Sequence, residues 1–124
     1  MKIFFDGGLR PAPHGMELAV VAAGRSHIER GLGSGTSMEA EWLALIAAMR
    51  LAKRLALTDA VLLGDAAAVI AQASGRVKVP QAHLAHFACY MALPRPARFR
   101  LRHIKRTQNL AGIALEKTRT ALGA

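Results

Sequence analysis

The sequence predicts an α/β fold in which a five-stranded mixed sheet carries helices on both faces. Three observations predict it. Apolar segments and turns follow one another in the order βββαβααβα. Short connections rich in Gly and Pro join the first three strands, which is typical of an antiparallel meander. The fourth and fifth strands each follow helical segments, as two parallel strands do after a crossover connection.

The meander is predicted from the first third of the chain. Met1–Phe5 is apolar and precedes Asp6-Gly7-Gly8, so we expect the first strand to end at Asp6 with a turn at the two glycines. The second and third strands are expected at Glu17–Ala23 and His27–Leu32, on either side of a turn at 24–26.

A long helix is predicted to begin at Thr36 or Ser37, since both are good N-cap residues, and to run to about Leu57. Its apolar residues cover most of its circumference, and Trp42 is expected in the core. The remaining elements are expected at Ala60–Gly64 and Phe99–Ile104 as strands, and at Ala66–Ser74, Pro80–Leu93 and Asn109–Leu122 as helices.

Composition limits the class of protein. The 124 residues are 52% hydrophobic and 20% charged, which excludes a disordered chain and predicts one domain over residues 1–124. We find no secretory signal or apolar stretch of membrane-spanning length, and the single cysteine forms no internal disulfide, so we expect a cytoplasmic protein. The net charge of +9 favours a polyanionic partner, nucleic acid before an acidic membrane surface.

Three of the eight acidic residues are expected to converge. Asp6 and Asp65 follow the first and fourth strands, and Glu41 lies in the first turns of the long helix. Functional groups in open α/β sheets gather outside the strand ends. Each acid alone also fits a structural role, as a turn former, a partner of the helix dipole or a helix cap. Together they predict a cation site, because close carboxylates repel one another and oxygen ligands suit Mg²⁺ or Mn²⁺.

These segments resemble the ribonuclease H family. Phe5-Asp6-Gly7-Gly8 is similar to the family's Asp-Gly-Ser or Asp-Gly-Ala strand motif, and residues 36–45 are similar to Thr-Asn-Asn-x-Ala-Glu-Tyr-x-Ala-Leu. Residues 64–72 resemble Gly-Asp-Ser-x-x-Val-x-x-Gln, and Val77-Lys78 resembles a Val-Lys found after that helix. Residues 102–109 resemble the last strand and its Arg-x-x-Asn turn. The resemblance covers nearly the whole chain.

The resemblance implies an endonuclease that cleaves the RNA strand of RNA–DNA hybrids with two Mg²⁺ or Mn²⁺ ions. It implies that Asp6 bridges both ions and that Glu41 and Asp65 hold one each. Gly7 and Gly8, which lack a Cβ, would approach the minor groove of the hybrid, where 2′-hydroxyls distinguish RNA from DNA. The other substrate-binding residues that it implies are Ser37, Met38 and Gln72 along the groove and Lys105 and Arg106 at phosphates.

One family position is not matched. The family carries a fourth acid, an Asp within Asn-x-x-Ala-Asp-x-Leu in the last helix. Alignment on Asn109 and Leu115 puts Ile113 there, and alignment on Ala111 puts Gly112 there. Glu116, one turn further on, would either substitute for that acid or be a solvated surface charge. The hypothesis that follows is a slow or Mn²⁺-preferring nuclease, or a nucleic-acid-binding module with impaired catalysis.

A third alternative is an interaction domain of a larger complex, with its basic surface against an acidic partner. The four arginines at 95, 98, 100 and 102 alternate with apolar residues, and we expect them to share one face of the sheet. There they would either follow a phosphate backbone or form an ordinary solvated surface.

Overall fold

The structure is a computed structural model that describes residues 1–121, with side chains up to residue 119. Its strands are β1 (Lys2–Arg10), β2 (Gly15–Ala22), β3 (Arg25–Glu29), β4 (Asp59–Gly64) and β5 (Arg98–His103). Its helices are α1 (Ser37–Arg54), α2 (Ala67–Ala73), α3 (Leu84–Ala92) and α4 (Leu110–Ala121), with 3₁₀ turns at Gln81–His83 and Arg106–Gln108. No helix in this described part is long and apolar enough to cross a membrane.

The strands form one sheet in the order β3-β2-β1-β4-β5. The pairs β1–β2 and β2–β3 are antiparallel, whereas β1–β4 and β4–β5 are parallel. The predicted meander and the two parallel strands are therefore confirmed. The central strand, β1, is the only one within this described sheet that has an antiparallel neighbour on one side and a parallel neighbour on the other.

The first strand is longer than the sequence predicted. Its pairing with β2 runs from Ile3, opposite Ala22, to Arg10, opposite Gly15. Its pairing with β4 stops much earlier, at Phe4 opposite Leu63. The expectation that the strand ends at Asp6 is therefore wrong, because β2 continues to supply hydrogen-bond partners after β4 has ended. Asp6 lies in the strand just beyond the point where β1 and β4 separate.

The helices differ from the expected bounds mainly at their ends. The long helix stops at Arg54 rather than near Leu57, since Ala56 adopts a left-handed φ of 51° that ends the helical path. The segment expected as one helix from Pro80 is a 3₁₀ turn followed by α3. The expected end of the last helix at Leu122 lies outside the described residues.

Apolar clusters occupy both faces of the sheet. On one face α1 packs on β1 and β2, and the cluster includes Phe5, Trp42 and Leu62, with Trp42 fully buried as predicted. On the other face α4 packs on β1, β2 and β3 over a smaller cluster. Its buried members are Ala19, Val21, Ala111 and Leu115. Because both clusters rest on β1, this strand is held in place from two sides.

Gly7 allows β1 to lie directly against the start of α1. A Cβ at Gly7 would fall on the backbone carbonyl of Ala40 and close to the amide of Glu41. At Gly8 a Cβ would instead meet the guanidinium end of Arg119, a flexible group. The two glycines that predicted a turn therefore lie inside a strand, and Gly7 is required there by the contact with the helix.

We expect Gly7→Ala to lower the free energy of unfolding by about 2–3 kcal/mol, because two backbone segments would have to move apart. Gly8→Ala is the matched control and should lower it by only about 1 kcal/mol, since a side chain can yield. Urea denaturation of both variants measures the difference. Equal losses would contradict this account of the packing.

Candidate metal centre and active site

The structure brings the three predicted carboxylates together. Asp6, Glu41 and Asp65 each offer one oxygen, and these oxygens lie within 4.8 Å of one another. Asp6 comes from β1 where that strand leaves β4, Asp65 follows the last residue of β4, and Glu41 projects from the second turn of α1. The separation of β1 from β4 therefore provides the opening in which the acids meet.

Three hydrogen bonds fix the cluster to β1 and to Asn109, the residue before the last helix. The amide of Gly7 donates to Oε1 of Glu41 at 2.6 Å, which ties α1 to β1. The side chain of Asn109, fully buried, donates from Nδ2 to the carbonyl of Phe5 at 3.0 Å and to Oδ1 of Asp65 at 3.4 Å. The carboxylates are thus held in position by groups that do not themselves carry charge.

Asn109 also holds the start of α4 next to the site. Its Oδ1 accepts from the amide of Ala111 at 3.1 Å, so one amide side chain satisfies an unpaired N–H of the helix start. The motif Arg-x-x-Asn that the sequence analysis identified therefore joins β1, the end of β4 and α4. This function was not assigned to Asn109 from the sequence.

Two of the carboxylates, Asp6 and Glu41, resist ionisation. Burial, followed by the negative charge of Asp65, raises the pKa of Asp6 from the usual 3.8 to about 7, although Arg106 opposes part of the effect. Burial, followed by the charge of Asp6, raises the pKa of Glu41 from 4.5 to about 8. Three ionised carboxylates at this distance need a compensating positive charge, which a divalent cation would supply.

A cavity of about 930 Å³ opens from the cluster. The three acids line it together with Gly7, Gly8 and Ser37. Lys105 and Arg106 line it as well, next to His103. One end of the cavity is therefore acidic and the neighbouring wall is basic, an arrangement that suits a phosphodiester with a cation between it and the carboxylates.

Two residues expected along the groove are not among the described residues that line the cavity. Gln72 is 7% exposed on α2 and is not among the residues that line this cavity, so its contact with the groove stays a prediction. Met38 packs against the core under α1, and the described lining of the cavity does not include it.

The position of the missing fourth acid faces the cluster. A Cβ at Gly112 would lie 3.2 Å from Oδ2 of Asp6, and Ile113, which is 44% exposed, lines the same cavity. Neither residue offers an oxygen ligand. Glu116 also lines the cavity, but it pairs with Arg119 at 3.7 Å in the same helix. The structure thus retains the space of a fourth ligand without the ligand.

An ion-pair network that the sequence analysis missed supports the far wall. Glu17, 2% exposed in β2, pairs with Arg30 at 2.6 Å and with Arg119 of α4. Arg30 also donates to Thr118. The signal in the sequence was an acid at the start of an apolar strand, because a buried carboxylate requires a cation. Which arginines supply that charge depends on the docking of α4, which the sequence pattern does not reveal.

Solved structures with this fold are numerous. The N-terminal RNase H domain of Rv2228c from Mycobacterium tuberculosis, solved as a fusion with maltose-binding protein, is 28% identical, with a TM-score of 0.76 over 92% of this chain and 93% of that one. RNase H1 from the halophilic archaeon Halobacterium salinarum is 23% identical, with a TM-score of 0.68 over 94% and 97%. LC11-RNase H1, in complex with an RNA/DNA hybrid, is 21% identical, with a TM-score of 0.70 over 95% and 98%.

The sheet order and the acidic cluster define a domain of the ribonuclease H-like class. Residues 21–117 match the family model described as reverse transcriptase-like, and the chain belongs to this ribonuclease H-like family. The resemblance stated from the sequence motifs is therefore confirmed. A search of curated proteins finds no match.

We expect Asp6→Asn to stabilise the metal-free protein. Because the pKa of Asp6 is raised from 3.8 to about 7, the ionised acid lowers stability progressively as the pH rises through this range. In EDTA the variant should gain about 1–2 kcal/mol in free energy of unfolding at pH 8 and little below pH 4, after allowance for solvent screening. Thermal melting across this pH range measures it.

The matched control is Asp59→Asn, which removes an acid at the other end of β4, away from the cluster. Its free energy of unfolding should stay close to that of the wild type at each pH, because this variant keeps the carboxylate cluster. A gain for Asp59→Asn as large as that for Asp6→Asn would contradict the view that repulsion within the cluster destabilises the metal-free fold.

Proposed function

We propose that this protein is a divalent-metal-dependent endonuclease that cleaves the RNA strand of RNA–DNA hybrids. The observation that carries the proposal is the convergence of Asp6, Glu41 and Asp65 at the mouth of a cavity with a basic wall, in a chain of the ribonuclease H-like family. The RNA/DNA hybrid bound by LC11-RNase H1, a protein of the same fold, supports the choice of substrate.

The three side chains fit a divalent cation. They present oxygen ligands only, which suits Mg²⁺ or Mn²⁺ rather than metals that prefer nitrogen or sulfur. Burial, and then the neighbouring carboxylates, raise the pKa values of Asp6 and Glu41, so a bound cation would favour their ionised forms. When bound in such a site, two divalent ions activate a water molecule and stabilise the leaving oxygen of a phosphodiester. Asp6, Glu41 and Asp65 would hold them.

The other residues of the cavity would bind and orient the substrate. Lys105 and Arg106, both exposed on the wall of the cavity, would hold phosphates beside the carboxylates. Ser37 and the exposed backbone edge at Gly8 would face the minor groove, where a protein contacts 2′-hydroxyls. Gly7 contributes differently, because its missing side chain lets Glu41 approach Asp6.

The absence of a fourth carboxylate favours a reduced rate or a preference for Mn²⁺. Gly112 faces the cluster and Ile113 lines the same cavity, and neither offers an oxygen ligand, so the cluster has three carboxylates for two cations. Fewer negative ligands bind the second ion more weakly. The same observation supports a second candidate function, a nucleic-acid-binding module on this fold with impaired cleavage.

We expect labelled RNA–DNA hybrid to be cleaved in its RNA strand when Mg²⁺ or Mn²⁺ is added, with duplex DNA left intact. Glu41→Gln should lower the rate about 100-fold or more, since the amide removes a charged ligand. Glu39→Gln is its matched control, two residues away on α1, where Glu39 binds His86 rather than the cluster. Gel analysis of the products measures both.

Three outcomes separate the candidates. Cleavage that Glu41→Gln abolishes and Glu39→Gln retains supports the nuclease. Tight binding of the hybrid without cleavage in either metal identifies the binding module. Equal cleavage by the wild type, Glu41→Gln and Asp65→Asn overturns the assignment of the active site.

We expect Ile113→Asp to lower the Mg²⁺ concentration for half-maximal cleavage by about tenfold, since it adds a carboxylate to the cavity. Leu110→Asp is the matched control: Leu110 is 47% exposed on the same helix and is not among the residues that line the cavity. A metal titration of the cleavage rate compares them. An equal shift in both variants would show a general charge effect and contradict a fourth-ligand role.

A further inference from the structure

The sheet face that carries α4 continues past that helix as a basic surface. On β5 the exposed side chains of Arg98, Arg100 and Arg102 share one side of the strand, because alternate residues of a strand point the same way. The side chains between them, Phe99 and Leu101, pack into the core on the opposite face. Arg95, which the sequence analysis grouped with them, lies instead 4.4 Å from the centre of the Tyr90 ring.

Lys2 of β1 belongs to the same surface. It pairs with Val61 of β4, which in turn pairs with Arg100, so the three side chains form a row across the sheet. The intervening Ile3 points to the core of the other face, which leaves Lys2 on the face of the arginines. We call Lys2, Arg98, Arg100 and Arg102 the arginine face.

The charge of the arginine face is not neutralised locally. Arg100 pairs with Asp59 at 3.5 Å, but both side chains are about half exposed, at 54% and 46%, and such a pair contributes little. Among the described ion pairs Arg98, Arg102 and Lys2 have no carboxylate partner. Within the described residues, α4 packs on β1, β2 and β3 rather than over β5. The face therefore presents four cations and one acid to solvent.

The arginine face leads directly to the carboxylate cluster. Asp6 lies an even number of residues from Lys2 on β1, and Asp65 lies two residues after Leu63 of β4. Both acids therefore lie on the same face of the sheet as the arginines, at the carboxyl ends of the parallel strands. Arg102 pairs with Leu63, two residues or about 7 Å before Asp65, and Arg98 pairs with Asp59, about 20 Å before it. Lys105 and Arg106 continue the positive charge from the end of β5 into the cavity.

This geometry matches a nucleic-acid backbone. Neighbouring arginines on the strand are about 7 Å apart, and a single strand of a duplex carries a phosphate about every 3.4 Å along its axis. A duplex with one phosphodiester at the carboxylates must continue beyond the cavity. If the duplex continues over β5, the spacing of the arginines matches that of about every second phosphate of one strand, so each arginine could contact one phosphate. An acidic protein could also bind these cations, but the binding site of such a protein would not need to be continuous with the cavity at the carboxylates.

We propose that the arginine face binds the phosphate backbone of the substrate duplex on one side of the cleaved bond, an inference that rests on the proposed function. The face extends the binding site and carries no sequence information, since contacts to phosphates position a duplex without reading bases. It supplies a grip on the duplex that lies outside the catalytic cavity.

The test measures binding of an RNA–DNA hybrid of about 20 base pairs in EDTA, which prevents metal-dependent cleavage, between about 50 and 200 mM salt. The variant is Arg98→Gln/Arg100→Gln/Arg102→Gln. Its control is Arg50→Gln/Lys53→Gln/Arg54→Gln, which removes the same charge from exposed positions of α1 on the opposite face of the sheet. Circular dichroism and thermal melting establish that both variants fold.

We expect the arginine-face variant to bind at least about tenfold more weakly and to lose about 2–3 from the slope of log K against log salt, while the α1 variant keeps the slope of the wild type. Should the triple variant fail to fold, each single substitution should lower the slope by about 1. A general effect of net charge would appear equally in both triple variants and would overturn the proposal.

The outcomes also separate this proposal from the proposed function. Unchanged affinity and slope in the arginine-face variant, with cleavage by the wild type, would overturn the proposal alone and leave the face to another partner such as an acidic protein. Loss of affinity without any cleavage by the wild type would support the face and overturn the nuclease. A wild type that does not bind the hybrid would overturn both.

Discussion

Electrostatic repulsion among Asp6, Glu41 and Asp65 is the constraint on which the rest of the structure depends. Unconstrained carboxylates separate or take up protons, and the charge of a neighbouring carboxylate adds to burial in raising the pKa values of Asp6 and Glu41. The fold counters it with rigid attachments. Asp6 lies in β1, Glu41 lies in α1 and Asp65 directly follows β4. The core fixes each of these elements, so none of the acids can move away without disturbing the packing of the sheet.

The split pairing of β1 shows how backbone geometry creates the site. One edge of the strand follows β2 to Arg10, and the other leaves β4 after Phe4. The gap that results would leave backbone groups unpaired, and the structure fills it with side chains. Asn109 donates to the carbonyl of Phe5, and Glu41 accepts from the amide of Gly7. The same side-chain hydrogen bonds therefore satisfy the backbone groups of β1 and hold the carboxylates in place.

Much of this could be predicted from the sequence, for reasons that the residues make clear. The acids at 6 and 65 follow short apolar runs, and local pattern is enough to place them near each other, although β1 continues past Asp6. The two glycines were assigned to a turn because turns and close backbone contacts both require Gly, and only the position of α1 distinguishes them. The burial of Gln72 could not be predicted, because the rotation of a seven-residue helix is set by packing and not by its own short sequence.

The network around Glu17 joins residues 102 positions apart and was beyond any local pattern. This ion-pair network limits which substitutions the sequence can accept at these positions. Removing one member of a buried ion pair leaves the remaining charge buried without a partner, whereas replacing all members with apolar side chains is often tolerated. Positions 17, 30 and 119 should therefore covary. Among related chains we expect either the acid with both arginines or a replacement of all three residues, and seldom a change of one residue alone.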